Sequence, residues 1–113
     1  MLQPIALTQL RWLAPSEGGR KAPPSGPFYA ATARFDEASN DELFSIVLRL
    51  AEARLLDAGN TLEVELALLA PDRQPEIVDR LVPGSQLLIT EGSRTVAEAR
   101  VLSVRRETVP PDS

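Results

Sequence analysis

The fold turns on Asp41-Glu42-Leu43-Phe44-Ser45-Ile46-Val47-Leu48-Arg49-Leu50. At helical spacing Leu43, Val47, Leu50, Ala51, Arg54 and Leu55 recur, Ser39 and Glu42 form a capping-box pattern, and Gly59 stands where a helix would close. At strand spacing Phe44, Ile46, Leu48 and Leu50 alternate with Ser45, Val47 and Arg49. Periodicity alone gives the helix a slight edge. The choice decides whether the chain is all-β.

The flanks read as strands. Leu62, Val64, Leu66 and Leu68 alternate with Glu63, Glu65 and Ala67, the pattern of a half-buried strand that Pro71 ends. Upstream, Ile5–Leu13 is rich in branched and aromatic residues but changes phase between Leu7 and Leu10, which fits a strand carrying a bulge. Ala14–Pro27 holds four prolines and three glycines and reads as loop, and Phe28–Phe35 as a short strand. Asp72–Pro83 is a polar connection with one helical turn at Glu76–Arg80, and Val82–Ser85 is a turn. Gln86–Thr90 and Thr95–Val104 form a hairpin around Gly92, with Ala97, Ala99 and Val101 on one face and Glu98 and Arg100 on the other.

Residues 1–108 are expected to form one domain and residues 109–113, with two prolines, a flexible tail. The formal charge is -4, which disfavours grip on nucleic acid by bulk electrostatics. Eleven of the sixteen acids lie between Asp36 and Asp79, so a meeting of the two chain ends would gather Arg11, Arg20, Lys21, Arg34, Arg94, Arg100, Arg105 and Arg106 into a mildly basic face. There is no cysteine and no histidine, which removes disulfides, thiolate chemistry, the Ser-His-Asp triad and the commonest metal ligands. No apolar run approaches the ~18 residues that span a bilayer, and the N-terminus lacks a secretory pattern, so a cytoplasmic location without membrane contact is expected.

The phrase Glu-Gly-x-Arg occurs twice, as Glu17-Gly18-Gly19-Arg20 and Glu91-Gly92-Ser93-Arg94. The two copies lie in different surroundings and do not make a repeat. Gly19 and Gly92 are expected to supply positive φ for turns. Together with Gly26, Phe28-Tyr29, Pro83-Gly84 and Thr95-Val96, the two phrases resemble the C-terminal β-barrel domain of elongation factor Tu and related translation GTPases, over roughly Leu7–Val104. The resemblance implies an all-β fold, a closed antiparallel barrel of about six strands, with Glu42–Leu50 as one of them.

The GxxxxGK[ST] phosphate loop of those GTPases is absent, so neither nucleotide nor any other cofactor is expected. Glu63 and Glu65 read as a solvated strand face and Trp12, Phe28 and Tyr29 as core, so no catalytic residues and no enzyme activity are expected. The leading expectation is a non-catalytic module that contacts a protein partner. The alternative implied by the resemblance is an accessory tRNA-binding domain using Arg20, Lys21, Glu91 and Arg94: Arg20 and Glu91 match family positions near the acceptor arm, where arginine grips phosphate and glutamate accepts from a ribose hydroxyl. Net charge disfavours this alternative.

Overall fold

The computed structural model describes residues 2–22, 24–36, 43–56 and 61–108. Within them strand β1 spans Leu2–Trp12, β2 Phe28–Phe35, β3 Phe44–Arg49, β4 Arg54–Leu55 and β5 Thr61–Leu68. One short helix, α1, covers Pro75–Arg80, and β6 (Gln86–Glu91) and β7 (Arg94–Thr108) follow. All pairings are antiparallel and run β1-β7-β6-β2-β3-β5, with β5 returning to β1. Six strands therefore close a barrel. The seventh, β4, adds Arg54 opposite Glu63 and Leu55 opposite Leu62 on the side of β5 that β3 leaves uncovered.

The ambiguous stretch is a strand, as the resemblance implied and against the edge that local periodicity gave to a helix. Phe44, Ile46 and Leu48 are all but inaccessible, Ser45 is exposed, and Val47 and Arg49 are half-buried. Packing each such side chain between β2 and β5 contributes about 1.5–3 kcal/mol, whereas helix propensities differ by a few tenths per residue. Burial therefore decides. Residues 41 and 42, Ser39 and Gly59, which carried the capping signals, lie outside the described residues, as does the expected tail at 109–113.

The bulge expected in the first strand belongs to its partner. The β1–β7 register shifts between Leu7, opposite Ser103, and Thr8, opposite Val101, which leaves Leu102 as the extra residue on β7. A second shift between Ile89 and Thr90 leaves Val96 over. Two bulges bend β7 so that it serves β6 at its start and β1 to its end. The broken phase of β1 comes from burial on both faces. Ala6, Leu10 and Trp12 join the interior core, and the buried Thr8 hydroxyl donates to the Val64 carbonyl at 2.9 Å. Ile5, facing outward, is also buried but lies outside that core.

Ile5 stands opposite Ala67 on β5 and Arg105 on β7, on the face that also carries Arg49, Glu65 and Glu107. Arg49 donates to Glu107 at 2.8 and 3.1 Å and to Glu65 at 3.3 Å, and Arg105 bridges Glu65 at 2.8 Å and Glu107 at 2.9 Å. Glu65 is thus a member of an ion network, and Glu63 pairs with Arg54 at 3.2 Å. The two carboxylates expected on a solvated face are neutralised on it. Ion pairing also takes up half of the basic face anticipated where the chain ends meet: Arg11 bonds Glu17 and Glu98, Arg20 and Arg94 share Glu91, and Arg105 is in the network above.

The two barrel ends differ. At one, Ile77 of α1 and Leu81, the residue that follows it, join the core together with Phe35 and Phe44, whose rings lie 5.4 Å apart. The other, where β1, β3 and β6 end and β2, β5 and β7 begin, is closed by the loop between β1 and β2. That end is the mouth.

Candidate functional site

The loop between β1 and β2 is folded tightly. A 3-10 turn at Pro15–Glu17 ends at Gly18, whose φ of 90° is the left-handed conformation that closes it. The Glu17 carboxylate accepts from the Ala14 backbone N–H at 2.9 Å and from Arg11 at 3.2 Å, and Arg11 reaches on to Glu98 at 2.6 Å. The Ala14 hydrogen bond, ahead of Arg11, holds that carboxyl below the usual range. Gly19 then passes close to Leu13. A Cβ on Gly19 would sit 2.1 Å from the Leu13 carbonyl oxygen. The positive φ expected at Gly19 therefore belongs to Gly18, and Gly19 is required for space; Gly92, with φ of 61°, behaves as expected.

This path delivers Arg20 to the end of β6. There Glu91 accepts from the Arg20 guanidinium, from the Tyr29 hydroxyl and from Arg94 at 3.3 Å. Arg20 also donates through Nε to the Ala22 carbonyl at 3.1 Å and lies 5.8 Å from the centre of the Tyr29 ring. The edge of the same ring meets Trp12, with centroids 5.8 Å apart and planes at 76°. The Tyr29 hydrogen bond, followed by Arg20, pulls the Glu91 carboxyl below its ordinary range, so it is an anion at neutral pH. Burial, and then Glu91, push the Tyr29 phenol up, so it stays a protonated donor.

The two Glu-Gly-x-Arg phrases thus meet: Arg20 of the first is fastened to Glu91 of the second. Arg20, Glu91 and Arg94 are in direct contact, and Lys21 follows Arg20 along the rim. A depression of about 130 Å³ lies under the loop, lined by Trp12, Ala14, Arg20 and Lys21. A wider one of about 460 Å³ opens between the loop and the β6–β7 hairpin, lined by Arg20, Lys21, Ala22, Pro24, Ser25 and Arg94.

Of the three aromatic residues expected in the core, only Trp12 is buried; Tyr29 is half-buried and Phe28 is 64% exposed. Phe28 and Tyr29 are adjacent on β2, so they must face opposite ways, and the inward side belongs to Tyr29 with Ala33 and Phe35. As a polar contributor to the mouth Tyr29 was missed by sequence reasoning, and the signal that could have found it is its place in the strand. It begins an inward row at a strand end, where a half-buried phenol takes an acceptor. Among the described residues no group of three carboxylates comes together that would hold a metal ion, and no helix is long and apolar enough to cross a membrane.

No known family, curated protein or solved structure matches this chain.

Proposed function

We propose that this barrel is a non-catalytic binding module whose mouth contacts a protein partner. One observation carries the reading: the loop and the hairpin, distant in sequence, are locked together through Glu91 and present Arg20, Lys21 and Arg94 around an open depression. Arginine is favoured at protein interfaces because its planar fork makes several directed hydrogen bonds. Exposed Phe28 and Leu55, which belong to strands that begin or end near this rim, add apolar area. The motif resemblance to the elongation factor Tu barrel supports a partner that ordinarily meets that barrel in translation, for which the present barrel competes.

A photo-crosslinker placed at Ser93, in the hairpin turn, tests this in native lysate against the same group at Asp79 on α1. The expected outcome is a discrete adduct from Ser93 alone, displaced by an excess of the isolated elongation factor Tu barrel. Identical adducts from both positions would refute a partner at the mouth, and an adduct that the factor's barrel does not displace would refute the link to translation.

The same three cations favour a second reading, accessory tRNA binding through Arg20, Lys21, Glu91 and Arg94. A gel-shift titration with bulk tRNA at two salt concentrations decides it. Absence of a shift at low salt sinks the RNA reading.

A further inference from the structure

We infer that the depression between the loop and the β6–β7 hairpin takes an acidic peptide segment, with side-chain carboxylates seated on Lys21 and Arg94. The inference rests on the protein-binding reading above and names its chemistry. Among the described residues three cations line the depression and no acid does. The carboxylate that touches two of them, Glu91, is already shared by Tyr29, Arg20 and Arg94, so its charge offsets a single cation. Among the described residues two positive charges stay uncompensated at this spot, on a chain whose formal charge is -4.

The cations are not equivalent. Arg20 is fixed, with Nε on the Ala22 carbonyl and Nη1 on Glu91. Arg94 meets Glu91 through one nitrogen at 3.3 Å and is 53% exposed, so most of its fork is open to a second carboxylate. Among the described residues Lys21 pairs with no acid. An incoming carboxylate therefore joins Lys21 and Arg94 without breaking the Arg20–Glu91–Tyr29 latch. Ala22 and Pro24 offer it apolar walls for aliphatic stems, and the volume of about 460 Å³ lies in the range of preformed ligand sites.

A peptide fits these features better than a nucleic acid. Phosphate tracking needs a stripe of cations, but beyond this cluster the rim turns to Glu17 and Glu98, each bound to Arg11. Stacking needs open aromatic faces beside the cations, yet Trp12 is buried, Tyr29 is committed to Trp12, Arg20 and Glu91, and the exposed Phe28 lies outside the lining of the depression, on the face of β2 opposite to Tyr29.

The test is fluorescence anisotropy with a labelled peptide of alternating Glu and Ala, its Gln counterpart, and a single-stranded RNA of equal charge. Each probe is titrated against the full chain and against the K21E/R94E and R100E variants, with folding checked by circular dichroism. The Glu peptide is expected to bind, and the Gln peptide to bind about tenfold or more weakly, as is the Glu peptide to K21E/R94E, since each reversal removes one attraction and adds one repulsion. R100E, on the outer face of β7, is expected to stay within about twofold. No binding of the Glu peptide at millimolar concentration and low salt overturns the inference, as does binding indifferent to K21E/R94E. Tighter binding of RNA with the same sensitivity to K21E/R94E would reassign the site to nucleic acid. If the Ser93 crosslink forms while the Glu peptide fails, the protein-binding reading stands and only the acidic chemistry falls.

Discussion

Replacing Gly19 by alanine should unlock the mouth, and the cost follows from geometry. The new methyl would lie 2.1 Å from the Leu13 oxygen, 2.6 Å from the Leu13 carbonyl carbon and 2.8 Å from its Cβ. Non-bonded carbon contacts are comfortable near ~3.5–4 Å, so the loop has to move by more than about 1 Å. Two backbone hydrogen bonds stand in the way, Leu13 N–H to the Val96 carbonyl at 2.9 Å and Gly19 N–H to the Ala14 carbonyl at 3.0 Å. Overpacking costs about 1–3 kcal/mol and a weakened hydrogen bond about 1 kcal/mol more, so Gly19→Ala should lose about 2–4 kcal/mol. Gly18→Ala is the control. Its methyl meets nothing within 4 Å, and only the left-handed φ of 90° is penalised, by about 1–2 kcal/mol. At roughly 4–6 °C per kcal/mol for a domain of this size, Gly19→Ala should melt about 8–24 °C below wild type and Gly18→Ala about 4–12 °C below. Urea denaturation followed through Trp12, the single tryptophan, measures both. A smaller loss for Gly19→Ala than for Gly18→Ala would refute the close-approach argument and restore Gly19 as an ordinary turn glycine.

Arg49, then Arg105, hold the Glu107 carboxyl down to about 2 from its ordinary 4.5. A depressed folded-state value makes the contribution complete above pH 4.5 and lost as the pH falls toward 2, so the melting-temperature gap between wild type and E107Q should close across that window. A gap that stays constant with pH would show that the network does not depend on the charge. Ile77→Ala, which removes the plug that α1 places in the core, should cost about 2–4 kcal/mol by urea denaturation, and a loss under about 1 kcal/mol would mean that α1 does not close the barrel. Thr8→Val keeps the shape and deletes the hydroxyl that donates to the Val64 carbonyl, for an expected loss of about 1 kcal/mol; a variant more stable than wild type would contradict it.

Strands with one buried face were legible because alternation survives in the text. The expected limits Phe28–Phe35 coincide with β2, and the Gly92 hairpin and the helical turn near Glu76–Arg80 appear where expected. Phe44–Arg49 was legible only with help from the motif resemblance, because its residues satisfy two periods and long-range packing chooses between them. The bulge in β7 left its trace in the phase of β1, since a register shift is a property of a pair and sequence shows one strand at a time. At the mouth, Arg20, Lys21, Glu91 and Arg94 were legible as residues, but the contact from Arg20 to Glu91 was not: no local rule joins positions separated by the whole barrel. The identity of the space-limited glycine was hidden for the same reason. Gly18 and Gly19 look alike until the path of Leu13 is known.

The pairing of β1 with β7 has a consequence for how the chain reaches this state. Leu2 stands opposite Thr108, so the first strand lies against the last along its whole length. Contacts of such high sequence separation raise the relative contact order, and barrels of this kind fold in milliseconds to seconds. On the ribosome, β1 emerges before β5 and β7, so the barrel closes only once β7 has emerged. Adjacent ends also make the barrel a candidate for circular permutation, with Leu2 and Thr108 joined by a short linker and new ends opened at Gly92-Ser93. Any segment fused before Leu2 or after Thr108 emerges on the α1 side, and a tether placed there leaves the mouth facing solution.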